Sequence, residues 1–554
     1  MPIVALAEVP PALDRVPVDA PIMVSMRSVS QFVNNMEAFT KVLPQGAGAQ
    51  FGQIKDLLKT PGVNAQGSAA IAVMSVEQDM NDENFVAIVP VSDYAAFAKH
   101  FNATGSGVEE VQIEGNTSYI KSLDGGFAAI GQNKAMVEAF AGKPGSRSAI
   151  ESLLGPNGKA VAEGKDAVII ANMPVLSPKI KEGMKEARAN MEGMGEAMAG
   201  NLAGLDFFEP ALTRDGQAGV LALSMGERGI KLDMAGQFKE GSEWGNYFTG
   251  KGNGGSLIAA LPNEAFLLAF AIDSSSAGLR SMFKKFAEVQ TKAAPGLMAG
   301  MNPIAMADKF DGFGIFLGES PAPIGGLFLN TTYFMRSSDP AALLKMTREA
   351  ITGMNGKTEG GVRFTTTYEP GRQKIGDVNA DLWTMRMQGD PNSPEGAMVG
   401  QMSQMLFGPN GMQGFIGEVP GGVVATYARN SEMFGKQVAS FREGNGLSKD
   451  PGVAKVGSEL PANRTMEGYI GIKSILNTVS GFLGMMGGAP NLEVPQDMPP
   501  IGFGGTTDQG GVRVAVWVPA EVIKAMTALG EQFGGGMGGP GGMEEEEEAG
   551  QPKF

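Results

Sequence analysis

Residues 261–273 read LPNEAFLLAFAID and carry the pattern from which the fold is predicted. A Pro-Asn turn opens the stretch, and the apolar run 266–272 has the length of a buried strand. Asp273 follows as a residue type that caps helices. Apolar residues then recur at three- and four-residue spacing, at Leu279, Met282, Phe283 and Phe286. The stretch therefore predicts a strand that leads into an amphipathic helix.

The same unit occurs twice more, at residues 16–26 (VPVDAPIMVSM) and 460–472 (LPANRTMEGYIGI). Between these copies lie further short strands joined by Gly-rich turns, and such neighbours pair antiparallel. The interleaved helices must then cover a face of each sheet. We therefore predict an α+β fold made by tandem duplication, with lobes at 16–250 and 255–533. Each lobe is expected to be a mainly antiparallel sheet backed by helices.

The order of the later elements favours the duplication. Residues 125–129 (GGFAA) match 421–425 (GGVVA), and an Asn suited to capping a helix follows each. In the second half, strands near 362–368 and 380–387 are matched to the two strands that precede Gly125 in the first half. Both halves are predicted to end in a strand, a helix and a hairpin.

The two ends of the chain differ in composition from its body. Residues 1–15 contain Ala5-Leu6-Ala7, which has the small-x-small form of a signal-peptidase site, so this segment is interpreted as the remnant of an export signal. Residues 534–554 combine Gly-rich sequence with the run Glu544 to Glu548, which predicts a disordered tail. We expect export to the periplasm or cell envelope, with a cytoplasmic location as the alternative.

Composition excludes several classes of function. The 554 residues include 44 Lys and Arg against 59 Asp and Glu, a net charge of −15, which disfavours nucleic acid as a partner. The absence of Cys excludes disulfides and thiolate metal sites. The single histidine, His100, closes a short predicted helix that starts at Asp93 and is interpreted as a helix-end residue. No stretch predicts a transmembrane segment.

Catalytic motifs are incomplete in this sequence. Residues 356–358 (GKT) lack the upstream Gly and the preceding strand of a phosphate-binding loop. Ser281 and Lys284 have Ser-x-x-Lys spacing, but the partner motifs of that chemistry are missing. A carboxylate-dependent hydrolase stays open as an alternative, because the geometry of paired carboxylates is three-dimensional.

Two groups of residues are candidate binding sites. The first is an acidic loop between two predicted strands, whose oxygens suit Ca²⁺; no other cofactor is expected. Its proposed ligands are Glu77, Asp79, Asp82 and Glu83. The second is an apolar stripe on a long predicted helix, which packs in the core or forms an adaptable groove for a lipid, a peptide or a partner helix. Its members are Ile180, Met184, Met191, Met194, Met198 and Leu202.

The opening Val18-Asp19-Ala20-Pro21 through Phe32, and its copy from Pro262 through Phe283, resemble a broad group of uncharacterised exported bacterial envelope proteins. The resemblance implies a secreted or periplasmic α+β protein without recognised catalytic residues. The expected function is therefore a non-enzymatic structural or interaction protein of the cell envelope. The alternative is a carrier of an apolar, lipid-like ligand, which would use a curved sheet and the Met-rich helix.

Overall fold

The structure is a computed structural model, and it confirms an α+β protein with antiparallel sheet. It describes residues 9–43, 55, 58–76, 84–113, 115–193, 198–293, 308–320, 326–359, 362–389, 394–408, 410–485 and 494–534.

The described strands are β1 Ile22–Met26, β2 Ala69–Val73, β3 Phe85–Pro90, β4 Val108–Ile113, β5 Asn116–Leu123, β6 Phe127–Gly131, β7 Ala167–Asn172, β8 Gly216–Gly226, β9 Gly229–Phe238, β10 Phe266–Asp273, β11 Gly312–Gly318, β12 Thr331–Arg336, β13 Thr358–Glu359, β14 Val362–Ile375, β15 Val378–Gly389, β16 Met412–Val419, β17 Gly422–Tyr427, β18 Met466–Ile470, β19 Ile501–Asp508 and β20 Gly511–Pro519. The described α-helices are α1 Val29–Thr40, α2 Tyr94–His100, α3 Lys134–Ala139, α4 Arg147–Ala162, α5 Met173–Glu192, α6 Ala199–Thr213, α7 Glu243–Tyr247, α8 Gly254–Ile258, α9 Ala277–Ala293, α10 Pro340–Gly353, α11 Pro394–Phe407, α12 Glu432–Glu443, α13 Pro451–Gly457, α14 Ile472–Met485 and α15 Ala520–Gly534.

All these strands join one antiparallel sheet. Its order is β4-β5-β6-β3-β2-β1-β7-β8-β9-β20-β19-β18-β10-β11-β12-β17-β16-β15-β14-β13. The stretches 16–250 and 255–533 thus supply neighbouring halves of a continuous sheet, and the pairing of β9 with β20 joins them.

Outward from the β9–β20 pair, eight strands of each half lie in the same relative order along the chain. β8, β7, β1, β2, β3, β6, β5 and β4 lie on one side, and β19, β18, β10, β11, β12, β17, β16 and β15 lie on the other. This order corrects one match made from sequence. Strand β16 was missed, and it occupies the position that corresponds to β5, so β15 corresponds to β4 and β14 has no counterpart.

Local sequence explains where many elements begin. Asp93 and Asn133 are predicted to precede helices, and each side chain accepts a hydrogen bond from the backbone N–H three residues later, at 3.0 and 3.1 Å. Asp339 does the same at 3.2 Å. These bonds satisfy an N–H that the first helical turn leaves free. The caps predicted at Asp93 and Asn133 are confirmed. Asp273 instead ends β10, and Ser276 accepts from Leu279 N–H at 3.3 Å at the start of α9. In the second half Ser431, and not Asn430, directly precedes α12.

One face of the sheet, called the packed face, forms the dry core. On β8 it carries Ala218, Val220 and Ala222, which lie against α4 through residues that include Ile150 and Leu154. In the second half α8, α12 and α13 cover the corresponding strands. Small residues dominate this face, so the helices approach the sheet closely.

Candidate functional site

The opposite face of the sheet is also apolar, although it is only partly covered. Successive side chains of a strand point to opposite faces, and on β8 Val220 is 5% exposed while its neighbour Leu221 is 38% exposed. We call the face that bears Leu221 and Leu223 the apolar face. An antiparallel sheet that meets water on one side ordinarily places polar residues there. This face therefore departs from the usual pattern.

Direct cross-strand pairing aligns a row of apolar residues across the middle of this face. From β3 to β12 the row consists of Ala87, Ile71, Val24, Ile169, Leu221, Met234, Val514, Gly505, Met466, Ile272, Phe313 and Met335. None of these side chains is polar or charged. Ile169, Leu221 and Met234, from adjacent strands, are the most exposed members, at 38–39%.

A second row runs beside the first. From β7 to β12 it consists of Ala167, Leu223, Leu232, Val516, Phe503, Gly468, Phe270, Ile315 and Tyr333. Its one polar group is the Tyr333 hydroxyl, and burial raises the pKa of Tyr333, which keeps the phenol neutral. Both rows therefore present uncharged hydrocarbon surface.

The charges of the central strands lie on the packed face, and the carboxylates among them pair with cations. Asp233 pairs with Lys165 and Asp273 with Arg336. Glu467 lies 2.8 Å from Arg464. The central part of the sheet thus keeps its ionic groups in the helix-covered core and exposes its hydrocarbon groups. An exposed apolar surface of this kind marks a binding or interaction site.

Helices border the apolar face at both ends of its central strands. At one end α1, α14 and α15 pack on residues that include Met225, Ile230 and Ile501. At the other end Met173, the first residue of α5, lies against Gly219, and α6, α7 and α9 form an aromatic cluster around Phe238. The exposed middle rows lie between these two groups of helices.

The outer strands of the same face are covered. Phe97 of α2 packs on Ile120 in the first half, and Leu343 of α10 packs on Ile416 and Val423 in the second. The open part of the apolar face is therefore confined to the central strands.

Several of the bordering helices also expose large apolar side chains. They are Val175 on α5, Phe208 and Leu212 on α6, Val479 on α14 and Met526 on α15. Exposed hydrocarbon thus continues from the sheet onto the helices that flank it.

The predicted Met-rich stripe does not lie on one long helix. Helix α5 ends at Glu192 and α6 begins at Ala199, and Arg188 of α5 reaches Glu209 of α6 at 3.0 Å. In this arrangement Met184 is buried. Ile180, Met191, Met198 and Leu202 are partly exposed. Met194 lies outside the described residues.

The proposed Ca²⁺ ligands are not described by the structure. Glu77, Asp79, Asp82 and Glu83 all fall in the gap at 77–83. Within the described segments, no group of three or more His, Asp or Glu side chains is arranged to hold a metal ion. The calcium site thus stays a prediction from sequence.

Asp381 illustrates what the buried carboxylates do. It accepts hydrogen bonds from the Tyr368 hydroxyl at 2.6 Å, the Gly371 N–H at 2.7 Å and Arg348 at 2.8 Å. Burial by itself would raise the pKa of Asp381, but these hydrogen bonds lower it overall. A general acid needs a raised pKa, so this cluster favours a structural role. His100 likewise has no catalytic partner among the described contacts, and its ring packs edge-on against Phe101.

None of the helices in the described ranges has both the length and the apolar composition needed to cross a bilayer.

Comparisons with known proteins identify no family for this chain. No family model and no curated protein matches the chain. Among solved structures it is similar to TP0453 in crystal form I, with 13% identity and a TM-score of 0.21 over 43% of this chain and 82% of that chain. Crystal form III gives 14% identity, with the same TM-score and coverage.

Proposed function

We propose that this protein binds an apolar, lipid-like ligand and has no catalytic activity. The observation that carries the proposal is the uncharged, half-exposed apolar face on the central strands, bordered by helices on every side. Leu221, Leu232 and Met234 keep more than a third of their surface exposed on adjacent positions of this face. Hydrocarbon chains are the occupants that match a surface with almost no hydrogen-bonding groups.

The size of the face fits alkyl chains better than it fits a compact apolar molecule. Strands lie about 4.8 Å apart, so the row from Ile169 to Ile272 extends over tens of ångströms. A flexible chain, or several chains side by side, fits such a surface. The methionines on it can adapt their shape to different chains.

The test combines native mass spectrometry with uptake of a fluorescent fatty-acid analogue by the delipidated protein. We expect co-purifying lipid and saturable uptake. Leu232→Lys should reduce uptake at least tenfold, because it places a charge among hydrocarbon groups. Val18→Lys is the matched control, since Val18 is 40% exposed and lies outside the sheet. Protein that is repeatedly empty, or equal uptake by both variants, would contradict the proposal.

A second candidate is the structural or interaction protein expected from sequence. Helix α11 packs on β15, and its Met398 and Met402 are 59% and 49% exposed. These side chains lie apart from the central rows and suit contact with a protein partner. Met398→Lys combined with Met402→Lys should then weaken capture of that partner and leave fatty-acid uptake unchanged. The cell envelope stays the proposed location.

We also propose that the two halves arose by tandem duplication. The equal order of strands outward from β9 and β20 supports it, as does the GG hairpin shared by residues 125–129 and 421–425. In this view the apolar face was completed when the copies joined edge to edge.

A further inference from the structure

A cavity lies away from the apolar face, at the start of α14. Its volume is about 740 Å³, and its lining comes from residues 263–266, the start of α13, the junction between β18 and α14 and the segment 496–500. No residue of the two apolar rows lines it. The lining includes lysines, carboxylates and a serine, so the cavity suits a polar ligand.

The chain enters α14 directly from strand β18. A Cβ atom on Gly471 would lie 1.9 Å from the Phe266 carbonyl oxygen, so only glycine fits at this junction. The first backbone bond that closes the helix runs from Ile475 N–H to Gly471 O, at 3.0 Å. The N–H groups of residues 472–474 precede it and have no acceptor within the helix. They carry the partial positive charge of a helix N-terminus.

Ser474 supplies a second, independent observation. It lines the cavity and is 4% exposed, yet its hydroxyl has no hydrogen-bond partner among the described residues. Although the residue is nearly buried, its Oγ atom is not sealed from solvent, so the hydroxyl is free to donate to a group that enters the cavity. Lys473 beside it lines the same cavity, where Gln496 accepts from its Nζ at 2.8 Å.

Two of the three carboxylates of the lining are held by partners that do not line the cavity. Glu264 pairs with Lys436 at 3.1 Å, and Asp450 accepts a hydrogen bond from Val453 N–H at 2.8 Å. Asp497 is exposed to solvent. Lys455, the other cation of the lining, pairs with Glu521 outside it at 3.0 Å.

We propose that this cavity binds an oxyanion, a phosphate or carboxylate group, through the first turn of α14, the Ser474 hydroxyl and Lys473. The group belongs either to a free small molecule or to the head of a lipid. The proposal is independent of ligand binding on the apolar face, because different residues and a different observation carry it.

The experiment is a calorimetric titration of the full chain with inorganic phosphate at constant ionic strength, which removes general screening effects. We expect saturable binding in the millimolar range. Ser474→Ala should weaken it about tenfold, the cost of one hydrogen bond to a charged group. Lys473→Gln should weaken it as well. Lys181→Gln, which removes an exposed charge on α5, is the control and should bind as the native protein does.

Vesicles distinguish the two sources of the oxyanion. Binding of free phosphate without binding to phosphatidic acid vesicles identifies a soluble ligand. Ser474-dependent binding to those vesicles, and not to phosphatidylcholine vesicles, identifies a lipid head group. Absence of saturable binding to both probes, or Ser474→Ala binding like the native chain while its circular dichroism is unchanged, would overturn the site.

Discussion

Leu221 on β8 and Met234 on β9 are direct cross-strand partners at the centre of the sheet, and each keeps 38% of its surface exposed. Two large apolar side chains are thus paired on a surface that no described helix covers. Their neighbours Val220 and Ala235, also a cross-strand pair, lie on the packed face and are nearly inaccessible.

Substitutions at this pair distinguish a loss of ligand binding from a loss of stability. Leu221→Asp and Met234→Lys should each abolish uptake of a fatty-acid analogue. The double variant should be more stable than the sum of the single variants by about 0.2–1 kcal/mol, because opposite charges then face each other across the strands. Its uptake should stay lost, since the surface is still polar. Recovery of uptake in the double variant would show that the single variants had failed through misfolding.

The two faces of β7 should respond differently to the same change. Ile170 is fully buried on the packed face, and Ile170→Ala should reduce the free energy of unfolding by about 2–5 kcal/mol. Ile169 is 39% exposed on the apolar face, and Ile169→Ala should cost about 1 kcal/mol or less in lipid-free protein. Urea titration of both variants measures the difference. Equal losses would mean that the apolar face is covered in solution without any ligand.

A bound ligand should increase the cost of Ile169→Ala in stability. A compound that binds only the folded state stabilises it in proportion to the logarithm of its concentration over Kd. Adding the fatty-acid analogue should therefore raise the Tm of the native chain more than that of Ile169→Ala. Thermal scans at several ligand concentrations test this, and an identical shift in both proteins would remove Ile169 from the binding surface.

The cluster around Glu243 predicts the effect of acid on stability. Hydrogen bonds from Lys285, Tyr247 and Arg214 lower the pKa of Glu243 to about 2. Because the folded-state value is depressed, the stabilisation is complete above the unfolded pKa of about 4.3 and is lost as the pH falls toward 2. The free energies of unfolding of the native chain and of Glu243→Gln should thus differ at pH 7 and converge near pH 2. A constant difference would contradict this assignment.

The loss of β20 beside β9 predicts the oligomeric state of the first half when it is produced alone. A chain ending at residue 250 would lose β20, the partner of β9, and expose an unpaired strand edge. If β9 and β20 are corresponding strands, two copies of β9 should pair in place of β9 and β20. Light scattering should then show a defined dimer. A stable monomer would count against the proposed duplication.

Sequence patterns were sufficient for the elements with local signals. The apolar run 266–272 is strand β10, and the caps at Asp93 and Asn133 begin helices as predicted. Strand β16 was missed because Gly414 and Gly417 interrupt its apolar pattern. The join between β9 and β20 could not be predicted, because it links residues far apart in the chain.

Only part of the candidate site could be predicted from the sequence. The sequence indicated a lipid-like ligand through the methionines of α5 and α6, whereas the two continuous apolar rows lie on strands. On β10 both faces are apolar, with Ala269 and Ala271 on one side and Phe270 and Ile272 on the other. Periodicity alone cannot tell which of two apolar faces the helices cover.

The seam between the two halves passes beneath the middle of the apolar row, where Met234 meets Val514. A hydrocarbon chain laid across it would touch side chains that lie 280 residues apart in the sequence. If recombination replaced one half by that of a distant homologue, the apolar side chains on the two sides of this seam would no longer fit each other. If the apolar face binds the proposed ligand, the two halves can change ligand preference only together.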